Sequence, residues 1–203
     1  MGYAGRRSLG TRKISKLLVP ITPSSYYPLR MTIDLAKTVR TIPDFPKPGI
    51  LFYDLASVLA DAAAWREAVA QMAQKAAKYQ PEYIAGIDAR GFLFAGALAL
   101  HFNCGAVMVR KKGKLPGDVI EHSYSLEYGT DTLEAQAGIF PPGVRIVVVD
   151  DLLATGGTLA AACHLLERLG GDVRAAITFI ELTGLGGRDL IKVPFETLLQ
   201  FPA

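Results

Sequence analysis

The chain has little of what secreted, metal-binding and membrane-spanning proteins need. It has two cysteines and three histidines among 203 residues, and they form neither a CxxC pair nor a metal-ligand spacing. The longest apolar stretch, residues 91–100, is flanked by Arg90 and His101 and falls short of the roughly 18 residues of a membrane span. We therefore expect no disulfide framework, no histidine–cysteine metal site and no membrane association. A reducing cytoplasmic or organellar setting follows, and we take the cytoplasm as the location.

A basic excess is also missing from most of the chain. Residues 1–30 contain six basic and no acidic residues, and the remainder contains 16 basic and 19 acidic residues. A nucleic-acid-binding domain would carry a basic stripe on its folded body. The net charge of +3 therefore belongs to the N-terminal segment, and we expect no nucleic-acid partner.

Length and composition favour one domain, residues 31–203, after an N-terminal extension. Residues 1–30 contain three prolines and no amphipathic period, so we expect them to be poorly ordered. Three explanations stay open: a translation start assigned too early, a basic organellar presequence, or a functional arm. We favour the first, with Met31 as the true start, because Asp34 can cap a helix over residues 35–40 directly after it.

Strands and helices alternate along the predicted domain. Apolar runs predict strands at residues 83–87, 106–109, 144–149, 175–182 and 196–201. Helices are predicted from Asp61, over residues 92–101, after Gly157 and near residues 187–191. This alternation predicts an α/β fold with a parallel sheet.

Two segments depart from the alternation. The proline-rich residues 42–49 are too broken for a helix or a central strand, and we expect an ordered loop there. Residues 110–142 form a long polar excursion with weak strand character. Such an insertion in a compact domain indicates an active-site lid or a binding loop, with a solvated hairpin as the alternative.

The most informative segment is residues 147–159, in which a buried strand leads through Asp150 and Asp151 to Gly156, Gly157 and a new helix. The carboxyl ends of parallel strands face the ligand crevice, and a helix N-terminus offers unpaired N–H groups to a phosphate. Carboxylates accept hydrogen bonds from sugar hydroxyls. The segment therefore predicts a sugar-phosphate site, with an ordinary strand-to-helix turn as the alternative.

Five segments together resemble a known family. They are DFPKPGI at residues 44–50, DARGFLF at 88–94, RKKGKLPG at 110–117, YSLEYG at 124–129 and VVDDLLATGGT at 148–158. The acid pair with ATGGT is similar to type I phosphoribosyltransferases in general. The proline motif and the YSLEY loop narrow the resemblance to the adenine phosphoribosyltransferase family, over about residues 32–201 and in the family's order.

The resemblance implies a fold and a reaction. The type I phosphoribosyltransferase fold has a central, mostly parallel sheet flanked by helices, a small N-terminal hood and a mobile loop. The reaction transfers the 5-phosphoribosyl group of 5-phosphoribosyl-1-pyrophosphate (PRPP) to N9 of adenine and gives AMP and pyrophosphate, a purine-salvage step. It also implies Mg²⁺ carried by PRPP, without direct protein ligands, and a homodimer.

The resemblance assigns residues to the phosphoribosyl part of the substrate. Asp150 and Asp151 would hold the ribose hydroxyls and reach magnesium through water. Arg90, with the backbone of Ala89, would contact the pyrophosphate. The 5′-phosphate would be held by Ala154, Thr155, Gly156, Gly157 and Thr158.

The remaining assignments concern adenine and the lid. Leu51, Phe52 and Tyr53 match the base-binding segment, with Phe52 stacking on adenine and the backbone reading its edge. Tyr53 departs from the arginine of some members, which matters little if only its backbone contacts adenine. The mobile loop would close with Lys111, Lys114 and Tyr128, and it would bring Glu127 near N7 of the purine as the acid/base.

Two other functions are compatible with parts of the pattern. A phosphoribosyltransferase for another base would share the acid pair and the glycine loop. A non-catalytic regulator could use the same pocket to sense PRPP, but it could dispense with the lid and would carry a DNA-binding unit, which is not evident in the sequence.

Overall fold

The computed structural model describes residues 33–126 and 129–203. Its helices are α1 (Leu35–Thr38), α2 (Ala56–Ala60), α3 (Ala62–Ala77), α4 (Gly91–Phe102) and α5 (Gly157–Arg168), with a 3-10 helix at Gly187–Leu190. Its strands are β1 (Arg40–Pro43), β2 (Leu51–Asp54), β3 (Tyr83–Ile87), β4 (Gly105–Lys111), β5 (Val119–Leu126), β6 (Gly129–Gln136), β7 (Arg145–Leu153), β8 (Asp172–Thr183) and β9 (Phe195–Pro202). In the part of the chain described here, no helix is long and apolar enough to cross a membrane.

Seven strands form one sheet in the order β5-β6-β4-β3-β7-β8-β9, while β1 and β2 pair as a separate antiparallel hairpin. The five strands from β4 to β9 in this order are parallel to their neighbours, and β6 runs antiparallel to both β4 and β5. Helices α4 and α5 make the crossovers that parallel neighbours require. The predicted α/β class with a mostly parallel, helix-flanked sheet is confirmed.

Helices cover the sheet on both faces, which explains why its central strands are apolar throughout. Along β7, Val147 and Val149 pack in the core that contains α3 and α4 side chains. Ile146 and Val148 pack in the core that contains α5 side chains. Because successive strand residues point to opposite faces, a strand buried on both faces accommodates polar residues only at its end.

The predicted end of β7 at residue 149 is wrong. The strand continues to Leu153 because β8 extends alongside it, and Asp150, Leu152 and Leu153 pair with Thr178, Ile180 and Glu181. The acid pair therefore belongs to the strand itself, and the segment that enters α5 is only the short turn Ala154–Gly156.

Asp34 does not cap the first helix as predicted. Helix α1 ends at Thr38, two residues early, because Arg40 begins a strand. The Asp34 carboxylate makes an ion pair with Lys37 at 3.3 Å and no cap hydrogen bond. Asp61 does cap α3, since its carboxylate accepts the N–H groups of residues 63 and 64.

The polar excursion is a regular β-hairpin, so the expectation of weak strand character is wrong. Strands β5 and β6 pair over eight residues each, and β6 joins the main sheet through Arg110 and Lys111 of β4. Leu133 and Ala135 are buried in the core under α5. The local sequence is polar because the rest of the hairpin is partly exposed at the sheet edge.

The proline-rich segment is ordered, although its first two residues belong to β1. The Asp44 carboxylate accepts the Gly49 N–H at 2.7 Å, and the Phe45 N–H donates to the Ile50 carbonyl at 3.3 Å. The segment therefore forms the closed end of the β1–β2 hairpin.

Candidate active site

A cavity of about 260 Å³ opens at the carboxyl ends of β3, β4 and β7. Three segments line it: the loop Asp88–Arg90 after β3, Lys111 at the end of β4, and residues 150–159. This is the edge where parallel α/β sheets bind ligands. The structure thus brings the predicted pyrophosphate, ribose and 5′-phosphate residues to one cavity.

The turn into α5 forms an anion cradle. Gly156 has φ +84°, and no side chain caps the N-terminus of α5, so its first N–H groups are available to a ligand with the positive end of the helix dipole. A Cβ at Gly156 would lie 2.2 Å from the Gly187 carbonyl oxygen, and one at Gly187 would lie 2.1 Å from that of Ala154. Close packing on the 3-10 helix therefore fixes the turn.

Asp150 and Asp151 occupy different environments at the end of β7. Asp151 is 6% exposed, and its carboxylate accepts from Arg90 Nε. Asp150 is half-buried, and its carboxylate accepts the Asp151 N–H at 2.9 Å. Burial, reinforced by the negative charge of Asp151, raises the pKa of Asp150 well above its usual range.

Arg90 contacts a carboxylate that the resemblance assigns to the ribose. Its side chain is 53% exposed and pairs with Asp151, so the expected pyrophosphate ligand and ribose ligand meet in this structure. The exposed guanidinium is accessible to a ligand, and arginine can hold a phosphate through two charge-assisted hydrogen bonds. Arg90 is therefore placed to bind a phosphate group at the mouth of the cavity.

Three acids hold the end of β4 and the turn that follows it. The sequence did not reveal their roles. Arg110 Nε donates to Asp88 at 2.9 Å, and Lys111 pairs with Asp131 at 2.9 Å. Glu134, 2% exposed, accepts the N–H groups of residues 113, 114 and 115 at 2.6–2.9 Å.

Glu134 remains ionised although it is buried. Burial alone would raise its pKa, but the three N–H donors and the charge of Lys112 outweigh it, and the pKa of Glu134 is lowered. Its carboxylate therefore fixes the turn that follows Lys111. A single acid between the apolar residues Leu133 and Ala135 is the signal that could have indicated this role.

The candidate base-binding residues lie on β2, outside the lining of the 260 Å³ cavity. Phe52 packs edge-on against Phe45, with 5.1 Å between ring centroids. Tyr53 is 6% exposed. Its ring stacks on Phe201 and its hydroxyl donates to the Pro202 carbonyl at 3.0 Å. The side chain of Tyr53 therefore belongs to the core, and only its backbone is available to a base.

An electrostatic contact relates β2 to the cavity. The Ala56 N–H and the Arg40 guanidinium lower the pKa of Asp54, and the charge of Arg90 lowers it further. The end of β2 is therefore within electrostatic reach of Arg90. Glu127 and Tyr128, the predicted lid residues, lie outside the described residues.

Comparisons with known proteins agree with this geometry. The sequence profile of the phosphoribosyl transferase domain matches residues 55–190. Adenine phosphoribosyltransferase of Rhodospirillum centenum is 54% identical over 169 residues, which cover 83% of this chain and 99% of that protein. The human adenine phosphoribosyltransferase is 50% identical over 167 residues, which cover 80% of this chain and 93% of that protein.

The chain belongs to the adenine phosphoribosyltransferase family.

Solved structures of the family have the same fold. Adenine phosphoribosyltransferase from Rhodothermus marinus matches with a TM-score of 0.78 and 44% identity, covering 82% of this chain and 96% of that one. The Saccharomyces cerevisiae enzyme, solved with D-2,5-dideoxy-2,5-imino-altritol 1,6-bisphosphate and adenine, matches with a TM-score of 0.78 and 36% identity, covering 81% and 96%. Family membership thus confirms what the five sequence segments indicated.

The raised pKa of Asp150 predicts a stability gain when its charge is removed. A carboxyl group with a higher pKa in the folded than in the unfolded state destabilises the fold progressively as pH rises from the unfolded value through the folded one. Asp150→Asn should therefore melt at a higher temperature than the unchanged protein at about pH 7.5, and the gap should close toward about pH 4. Calorimetry in EDTA-containing buffer measures both values.

Asp151→Asn is the matched control. It removes the carboxylate that pairs with Arg90 and should give no such gain. An Asp150→Asn protein that melts at or below the temperature of the unchanged protein at neutral pH would contradict the assigned cost of burying this carboxylate.

Proposed function

We propose that this chain transfers the 5-phosphoribosyl group from PRPP to N9 of adenine and releases pyrophosphate and AMP, the purine-salvage reaction of its family. The observation that carries the proposal is the single cavity lined by Arg90, Lys111, the acid pair and the N-terminus of α5. Cations, a pair of carboxylates and an anion cradle thus line one cavity. PRPP carries the complementary groups, namely a pyrophosphate, ribose hydroxyls and a 5′-phosphate.

The 5′-phosphate and ribose are placed by β7 and α5. The turn Ala154–Gly156 and the first residues of α5 supply N–H groups, and Thr155 and Thr158 supply hydroxyls, all of which donate to phosphate oxygens. Asp150 and Asp151 accept from the ribose hydroxyls. The ribosyl centre gains positive charge as the pyrophosphate leaves, so the same carboxylates favour the transition state.

The pyrophosphate is bound by Arg90, the backbone of Ala89 and Lys111. Negative charge develops on this group as the bond to ribose breaks, and cations placed beforehand stabilise that charge most. Arg110 does not need to touch the substrate, because its contact with Asp88 holds the loop that carries Ala89 and Arg90.

Adenine is bound by β2. Phe52 stacks on the purine, and the backbone of Leu51 and Tyr53 reads its edge. Backbone reading requires a rigid segment, because discrimination between adenine and hypoxanthine depends on one donor or acceptor in the right place. The Asp44–Gly49 hydrogen bond and the buried Tyr53 side chain supply that rigidity.

Lys114 acts from the segment between β4 and β5, and Glu127 and Tyr128 act from the two residues between β5 and β6 in the chain. As in the mobile loop of the family, covering the substrates would exclude water, which would otherwise compete with adenine for the ribosyl group. Glu127 exchanges a proton with N7 of the purine while N9 attacks. A carboxyl group desolvated by closure has a raised pKa suited to this task.

Glu127→Gln tests the acid/base role. The amide cannot exchange the proton, so turnover should fall by ~10²-fold or more while substrate affinity changes little. Single-turnover measurements of AMP formation report the chemical step directly. Glu67→Gln, whose partner is Gln71 on the same helix, is a matched control that should keep full activity. A near-normal single-turnover rate in Glu127→Gln would exclude the role.

Magnesium fits the acid pair as an ion carried by PRPP. Carboxylate oxygens are the ligands that Mg²⁺ prefers, and the mutual repulsion that helps raise the pKa of Asp150 would be relieved by a nearby cation. Within residues 33–126 and 129–203, no cluster of three or more His, Cys, Asp or Glu could hold a metal alone. Asp150 and Asp151 would therefore hold the ion through water, and its contribution when bound is charge neutralisation on the leaving pyrophosphate.

The reaction is tested by pyrophosphate release from PRPP with adenine, hypoxanthine, guanine or xanthine, each with magnesium. Adenine should be the only efficient acceptor, because the other three carry oxygen substituents that reverse donor and acceptor positions. Excess EDTA should abolish the reaction. Efficient use of hypoxanthine would overturn the base assignment, and failure with every base would favour a PRPP-sensing regulator.

We also propose a homodimer that buries an apolar face of α4. Leu93 and Leu100 lie two turns apart on this helix and are 49% and 85% exposed. Met108, 48% exposed, lies on the sheet face that α4 covers, because its neighbours Val107 and Val109 pack on the opposite face. An apolar helix face of this kind is stabilised by a partner, and a second copy presents the same face.

Light scattering after gel filtration tests the dimer. The protein should have about twice its monomer mass of 21.8 kDa, and Leu100→Glu should reduce the mass to that of a monomer. Ile139→Glu, at an exposed aliphatic position outside α4 (43% exposed), should leave the dimer intact. A monomeric unchanged protein, or a Leu100→Glu dimer, would contradict this interface.

We assign the protein to the cytoplasm. The support is that Cys104 and Cys163 are both free thiols, half-buried and buried. Burial raises the pKa of Cys163 to about 12, so this thiol is unreactive. Two cysteines kept as packed side chains are typical of reducing compartments.

A further inference from the structure

The Tyr124 side chain connects the β5–β6 hairpin to the anion cradle. Tyr124 lies on β5, and its hydroxyl is 3.0 Å from Thr158 Oγ1 in the first turn of α5. In a second, longer contact of 3.5 Å, the same hydroxyl can donate its one hydrogen to Asp131 Oδ2 on β6. At that distance the Asp131 contact is the weaker one, so Thr158 is the main partner of Tyr124.

A bound phosphate decides which of the two hydroxyls donates. Phosphate oxygens only accept hydrogen bonds, and the Thr158 hydroxyl has one hydrogen. If that hydrogen points to the phosphate, the hydrogen between Tyr124 and Thr158 must come from Tyr124. The tyrosine then fixes the rotation of the threonine hydroxyl, and in such a chain each hydrogen bond strengthens the next.

The surroundings keep Tyr124 suited to donating. The side chain is half-buried, and burial raises the pKa of its hydroxyl, so the phenol stays protonated at neutral pH. Thr158 Oγ1 lies 3.0 Å from the hydroxyl and Asp131 Oδ2 lies 3.5 Å from it, so Thr158 is the nearer partner. The geometry itself comes from the packing of β5 and β6 against α5, since Tyr124 packs against the core that contains α5.

We propose that Tyr124 is a positioning residue of the 5′-phosphate site, whose hydroxyl donates to Thr158 Oγ1 and turns the Thr158 hydrogen toward the phosphate. The proposal rests on the assignment of the α5 cradle to the 5′-phosphate. Tyr124 also lies three residues before Glu127 in the chain. The strand that leads to the acid/base residue is thus hydrogen-bonded to the phosphate end of the site.

A double-mutant cycle tests the proposal. The purified full-length protein, Tyr124→Phe, Thr158→Val and the double variant are titrated calorimetrically with ribose 5-phosphate and, separately, with pyrophosphate. Tyr124→Phe should weaken ribose 5-phosphate binding by about 3–10-fold, the effect of one neutral hydrogen bond, and should change pyrophosphate binding by less than about twofold. The double variant should bind ribose 5-phosphate as weakly as Thr158→Val alone, because Tyr124 acts through Thr158.

Tyr79→Phe is the matched control. It removes a tyrosine hydroxyl whose partner is Glu196 at 3.3 Å, away from the cavity, and should leave both affinities unchanged. The proposal would be overturned if the losses of ribose 5-phosphate affinity add up in the double variant. It would also be overturned if Tyr124→Phe weakens the binding of ribose 5-phosphate and pyrophosphate equally. If Tyr124→Phe lowers the melting temperature, the comparison of the two ligands in that variant still decides, because a general loss of structure weakens both.

The outcome for the overall reaction is measured separately. If the unchanged protein makes AMP, but the losses of ribose 5-phosphate affinity in Tyr124→Phe and Thr158→Val add up in the double variant, only the role of Tyr124 fails. If it makes no AMP from adenine and PRPP, the proposed function fails, whatever the cycle shows.

Discussion

The pairing of β7 between β3 and β8 is the constraint on which the site depends. These strands are parallel, and their central residues are buried on both faces. The acid pair therefore lies toward the carboxyl end of β7, at the edge where β3 also ends. β7 contributes the acid pair and leads into α5. β3 brings Arg90 beside them, and β4, parallel to β3, brings Lys111. One sheet register thus sets the distances between groups far apart in the chain.

Internal ion pairs balance much of the charge of this edge. Arg90 pairs with Asp151, Arg110 with Asp88 and Lys111 with Asp131. The cations Arg90 and Lys111 are themselves more than half exposed, so a phosphate can reach either of them from solution. Arg110 is less exposed than Arg90 or Lys111. Its partner Asp88 begins the loop that carries Arg90, so this ion pair has a structural role.

Features of the site whose residues are adjacent in the chain could be predicted from the sequence, and features that depend on distant residues could not. The acid pair, the glycine turn and α5 are adjacent in the chain, so their pattern alone indicated a sugar-phosphate site, and the apolar runs indicated the sheet. The true end of β7 could not be predicted because it depends on how far β8 extends beside it. Asp34 was predicted to cap α1, but its carboxylate pairs with Lys37 instead. Glu134, Asp88 and Tyr124 contact residues 19 to 34 positions away, and no local period encodes such contacts.

The packing of Gly156 against Gly187 has a consequence for sequence change. Gly187 is not among the residues that line the cavity, yet a methyl group on it would occupy the space of the Ala154 carbonyl, just as one on Gly156 would occupy that of Gly187. The two positions are 31 residues apart in the chain, and the backbone segments that carry them pack too closely to leave room for a side chain at either one. A side chain at residue 187 would therefore displace the turn before α5 just as one at residue 156 would, and a mutational survey limited to the cavity wall would miss it.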